Sequence, residues 1–125
     1  MKATFSVAIA FSAITILVGS FPAYADKPSI SQARPLLEAT GQALVDVQKC
    51  GGDWGRISDA SVDFIDECAR SDAESDLMDK IYDLAKKERR DAIASSGFTC
   101  SGNVSARVSV IVASIKAAVA RCKGD

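Results

Sequence analysis

Residues 103–123 read NVSARVSVIVASIKAAVARCK, and this stretch decides the fold class. Val104, Val108, Ile111, Ile115, Ala118 and Cys122 recur in alternating steps of four and three residues. That spacing lays them along one face of an α-helix, whereas a half-buried strand would alternate every second residue. The β-branched residues would suit a strand by propensity. Ala113, Ala117, Ala118 and Ala120 favour a helix, and the spacing agrees with them. The pattern predicts an amphipathic helix that packs at the centre of the domain, with Asn103 as its cap.

Upstream of this helix the same period recurs three times, and no segment reads as a strand. Ser71-Asp72-Ala73-Glu74 has the form of a capping box, in which cap and third residue exchange hydrogen bonds. Behind it Leu77, Met78, Ile81, Leu84 and Ala85 make an apolar stripe that Ala92 extends, and Gly97 suits the stop. Lys86, Lys87, Arg89 and Arg90 crowd the last turns, where cations complement the helix dipole. A shorter helix is expected over about Ser58–Arg70, capped by Ser58, with Ile57, Ser61, Phe64, Ile65 and Cys68 on one face. The first helix is expected over about Ser31–Lys49, with Ser31 as cap and Pro35 in the first turn, where a missing N–H costs little. Leu36, Ala43, Val47 and Cys50 share a face, with Leu37 and Leu44 beside it, and Gly51-Gly52 end it. Asp26–Ile30 is expected to be a loose tail.

The N-terminal 25 residues have a different character. Lys2 precedes the apolar run Phe5–Val18, Gly19 and Pro22 break it, and Ala23-Tyr24-Ala25 has the small-x-small form of a cleavage site. The run is shorter than the roughly 20 residues a membrane span needs. Residues 1–25 are therefore expected to be an export signal, and residues 26–125 a single helical mature domain. No later stretch is expected to span a membrane.

All four cysteines, Cys50, Cys68, Cys100 and Cys122, fall in the mature part. An even number in a short exported chain points to disulfides. A zinc site is the alternative, but no C-x-x-C pair supports it. Cys100 and Cys122 flank the last helix and would stand about 30 Å apart, beyond disulfide reach. If the helices alternate up and down, the end of the first meets the start of the fourth, and the ends of the second and fourth meet. Cys50–Cys100 with Cys68–Cys122 is then preferred. Cys50–Cys122 with Cys68–Cys100 would need another topology. The fold class expected is a small all-α, four-helix bundle-like domain stapled by two disulfides.

Function is less legible. The chain holds no histidine, which removes the Ser-His-Asp triad, the Cys-His pair and histidine-ligated metals. Fifteen Lys and Arg stand against 16 Asp and Glu, so nothing favours nucleic acid. Carboxylates alone can hydrolyse glycosides, but these lie on outward faces. Asp59, Asp63 and Asp66 share one such face and read as solvated. No phosphate loop, cofactor motif or metal motif is present; Gly51-Gly52-Asp53-Trp54-Gly55 follows a helix rather than a strand.

That glycine-bracketed loop is nonetheless the best candidate for partner binding. It carries the only tryptophan, Trp54, flanked by Asp53 and Arg56, and Trp and Arg are enriched in binding hot spots. Trp54 could instead fold back and plug the core beside Cys50. The basic cluster at residues 86–90 could meet an acidic partner, and Asn103-Val104-Ser105 matches a glycosylation acceptor in hosts that use one.

In size and architecture the chain resembles small bacterial envelope proteins, among them immunity proteins and acid-stress chaperones. The resemblance carries no residue correspondence. The stapled scaffold, the missing catalytic set and the loop carrying Trp54 point to an exported, non-enzymatic protein that binds a protein partner as an inhibitor or immunity-type protein, in the periplasm if the host is Gram-negative and otherwise secreted. A periplasmic stress chaperone is the alternative, and a carboxylate-dependent hydrolase stands third.

Overall fold

The computed structural model describes residues 27–124; the expected export signal lies outside the described residues. Four helices follow one another: α1 (Ile30–Cys50), α2 (Gly55–Cys68), α3 (Asp72–Ser96) and α4 (Asn103–Lys123). Among the described residues there is no strand. Disulfides join Cys50 to Cys100 and Cys68 to Cys122, with Cα–Cα distances of 5.6 and 5.3 Å. This is the preferred pairing, the one expected of helices that alternate in direction. Two disulfides also fit an oxidising, exported environment.

Burial explains the assembly. Leu37, Leu44 and Val47 of α1 meet Ile57 and Phe64 of α2, Met78 and Ile81 of α3, and Val108, Val112 and Ile115 of α4 in one apolar cluster. At about 25 cal/mol per Å2 of apolar area, each fully buried Leu or Ile contributes roughly 2 kcal/mol. The closest helix pairings are α1 with α3 and α2 with α4. Helices adjacent in sequence are therefore not the closest neighbours in space. The central element is α1 rather than α4: every residue from Ala43 to Val47 is buried, so α1 is covered on nearly all sides. Helix α4 buries one stripe and leaves Val110 65% exposed.

Gly41 lets α1 and α3 approach closely. A Cβ there would stand 2.8 Å from the Tyr82 carbonyl oxygen and 3.0 Å from Ala85 Cβ. No side chain larger than hydrogen fits that crossing without moving α3.

Several boundaries differ from the sequence reading. Ser29, not Ser31, caps α1: its hydroxyl accepts from Gln32 N–H, and the Gln32 side chain accepts from Ser29 N–H at 2.8 Å. This S-x-x-Q box satisfies two free donors, and Ser31, followed three residues later by Arg34, cannot form one. Pro35 accordingly lies in the second turn. Helix α2 begins at Gly55, ahead of Ser58, and neither α2 nor α4 has a side-chain cap; Asn103 is the first residue of α4 rather than its cap.

Ser71 does cap α3, accepting from Glu74 N–H at 3.1 Å, while the Glu74 carboxylate accepts from Arg70 N–H. On α3, Leu77 and Leu84 are 42% and 53% exposed. Tyr82 takes the inward place instead, and Ala92 is exposed because this end of α3 runs past the core. Residues 27–29, the described residues ahead of α1, are not loose. Lys27 Nζ donates to the Ala69 carbonyl at 3.3 Å, and Arg70 returns a bond to the Lys27 carbonyl at 3.1 Å.

By length and composition α4, at 21 residues, reaches what a membrane crossing needs, contrary to the expectation from sequence. Its apolar stripe is spent on the core, and Cys122 ties its end to Cys68.

Candidate functional site

The candidate partner-binding residues fall at the end of the bundle held by Cys50–Cys100. Gly51 ends α1 in a left-handed conformation, φ 74°, that a side chain would disfavour. Gly52 N–H then donates to the Val47 carbonyl at 3.0 Å, which folds the chain back over the helix end. Trp54 N–H donates to the Gly52 carbonyl at 3.0 Å, and α2 starts at once. The loop is thus short and hydrogen-bonded, and it presents Asp53, Trp54 and Arg56 to solvent.

Trp54 is 48% exposed and does not plug the core. Beside it opens a cleft of about 260 Å3 between the loop and the start of α4. Val47, Val104 and Val108 give it apolar walls, and Asp53, Arg56, Ser101 and Ser105 add polar groups. The structure therefore brings Asp53 and Arg56 to one cleft, and Trp54 lies outside its lining. Arg56 sits in the first turn of α2, where a cation opposes the helix dipole. Its position is not explained by helix stability.

The basic cluster on α3 does not form one patch. Lys86 pairs with Asp83 at 3.2 Å and lies 4.5 Å from the Tyr82 ring centre, and Lys87 pairs with Asp91 at 2.9 Å. Arg89 turns inward to α1. Asp59, Asp63 and Asp66 are exposed, and among the described residues no group of three or more His, Cys, Asp or Glu is placed to hold a metal ion.

A second polar constellation escaped the sequence reading. Asp46 is 1% exposed on α1. Arg89 Nε donates to its Oδ1 at 2.7 Å and Arg89 Nη2 to its Oδ2 at 3.4 Å. Arg107 Nη2, from α4, donates to the same Oδ2. A buried carboxylate is tolerable only when paired in this way. The available signal was Asp46 itself, a lone charge inside Ala43-Leu44-Val45-Asp46-Val47. Its partners lie 43 and 61 residues away in the chain, so nothing local named them.

No family model, curated protein or solved structure matches the chain. What fold and site define is a class by architecture, a small helical domain stapled by two disulfides.

Proposed function

We propose that the chain is an exported, non-catalytic binding protein that engages a protein partner through its Cys50–Cys100 end, as an inhibitor or immunity-type protein, periplasmic in a Gram-negative host and secreted otherwise. The observation that carries this reading is the half-exposed Trp54, 48% accessible on a short loop beside a disulfide. A rigid, exposed indole gives much contact area at little entropic cost, because its loop is already ordered. Arg56 and Asp53 beside it supply directional polar contacts at the cleft.

The test uses oxidised, tagged protein starting at Asp26, with envelope extracts of host and neighbouring species. One stoichiometric partner is expected, lost on Trp54→Ala while circular dichroism and Tm stay unchanged. A partner held equally by Trp54→Ala would remove the loop from the binding surface. Broad protection of clients from aggregation at low pH would replace this reading with the chaperone one.

A further inference from the structure

The sharing of one buried carboxylate by two arginines leaves one positive charge in excess. Asp46 is buried, whereas the Arg89 and Arg107 side chains are 32% and 48% exposed. Each guanidinium therefore turns one edge inward and keeps another edge in contact with solvent. The inward bonds occupy Nε and Nη2 of Arg89 and Nη2 of Arg107. Nη1 of Arg89, and Nε and Nη1 of Arg107, are not used by Asp46. Phe98 lies 5.3 Å from the Arg89 guanidinium and further restrains its plane. Both forks are thus held before any ligand arrives, which lowers the ordering cost of binding. They open on a cleft of about 380 Å3 that Asp46 also lines and that Gln42, Ala39 and Ile111 complete.

We infer that this cleft binds a carboxylate carried on an apolar body. The net single charge matches a monoanion better than a phosphate dianion. Each Nη2 carries a second N–H, so the Nη1–Nη2 end of a guanidinium still offers a carboxylate two parallel N–H bonds. Ala39 and Ile111 offer apolar contact to the rest of the ligand, and the Gln42 amide offers a further donor. The acid group can come from a small organic acid or from a protein's C-terminus. The inference is independent of Trp54, since none of the residues lining this cleft belongs to that loop.

The experiment follows the arginine side-chain N–H resonances by NMR in oxidised protein at constant ionic strength. The probes are N-acetyl-leucine, N-acetyl-leucinamide, inorganic phosphate and a short peptide ending in leucine with a free carboxylate. Saturable shifts of Arg89 and Arg107 with N-acetyl-leucine are expected, with none from the amide, which carries a neutral carboxamide in place of the carboxylate. Arg107→Gln should weaken binding about tenfold or more, as loss of a charged hydrogen bond implies. Asp46 keeps Arg89 in that variant, so the fold is expected to persist, and the dispersion of the backbone spectrum checks it. Arg107→Lys keeps the charge without the fork and should also bind more weakly. Tighter binding of the peptide than of the free acid supports the site and assigns it to a protein terminus; equal or weaker binding supports it with a small acid as ligand. Absence of saturation, tighter binding of phosphate, or equal binding by Arg107→Gln overturns the inference.

Discussion

Asp46 of α1 and Arg89 of α3 are joined side-on, Nε to Oδ1 at 2.7 Å, across a gap of 43 residues in sequence. The pair crosses the most extensive helix contact among the described residues, and Arg107 closes it from α4. Three helices are thus keyed to one buried carboxylate. Either arginine alone can still neutralise Asp46, so Arg89→Met and Arg107→Met should each cost about 1 kcal/mol. The double variant leaves a buried, unpaired charge, whose cost is about 3–5 kcal/mol. A double-mutant cycle by urea unfolding should therefore exceed additivity. Strict additivity would mean that Asp46 reaches water once the arginines are gone.

Gly41 sets how closely α1 and α3 can lie. Alanine there gains about 1 kcal/mol of helix propensity. It also drives a methyl group against the Tyr82 carbonyl, which belongs to backbone and cannot rotate away. Overpacking of this kind costs about 1–3 kcal/mol, so Gly41→Ala should lower Tm despite the propensity gain. Gly102→Ala is the control: nothing lies within 4 Å of its added Cβ and its φ is −64°. Its Tm should hold or rise. A Tm for Gly41→Ala at or above that of the unaltered protein would mean that α3 shifts at no cost.

Periodicity and punctuation made the helices and the disulfide pairing legible. The spacing of Val104, Val108, Ile115, Ala118 and Cys122 places all five in the buried stripe of α4. Ser71 and Gly97 end α3 where their chemistry suggests. Alternating directions then led to Cys50–Cys100 and Cys68–Cys122. What stayed hidden depends on which helix meets which. Leu77 and Leu84 fit a helical stripe by spacing, yet they lie to one side of the face that α3 turns to α1. Gly41 carries no side chain to contribute to a pattern. Arg89 is one of four basic residues between Lys86 and Arg90, with Glu88 among them, and only the approach of Asp46 distinguishes it from Lys87 and Arg90. Exposure of Trp54 likewise depends on how Gly51 and Gly52 turn the chain.

The lower part of α3 concentrates negative charge. The Asp79 carboxyl is raised from its ordinary value, first by burial and then by the charges of Asp83, Asp76 and Asp66, with Lys86 opposing. A carboxyl raised on folding is protonated more readily in the native state than in the unfolded chain. Its ionised form therefore costs stability above the folded pKa, and this cost fades as pH falls through that value. Asp79→Asn should stabilise the protein at neutral pH by a few tenths of a kcal/mol, roughly the size of exposed like-charge pairs on one helix. The gain should shrink in high salt and vanish below about pH 3, where unfolded aspartate is itself protonated. Thermal melts across pH check it. A gain that persists in acid would point to the loss of some contact other than charge.

The two disulfides close loops of nearly equal length, with sequence separations of 50 and 54 residues. In the chain-entropy model each constrains the unfolded chain by about 4 kcal/mol, so loop size does not rank them. Their surroundings do. Cys68 and Cys122 are 0% and 4% exposed inside the core, whereas Cys100 lies on the surface and Cys50 is half-buried. Exchange needs a thiolate to reach sulfur, so access governs the order of reduction in the native state. Mild dithiothreitol followed by alkylation and peptide mapping should label Cys50 and Cys100 first, while helical circular dichroism persists because Cys68–Cys122 still ties α2 to α4. Replacing cysteines by alanine in pairs should show the complementary asymmetry. Loss of Cys68–Cys122 removes packed core atoms as well as a constraint, so it should lower Tm further than loss of Cys50–Cys100. Labelling of Cys68 and Cys122 first would mean that the molecule opens from that end, and that their burial does not protect them.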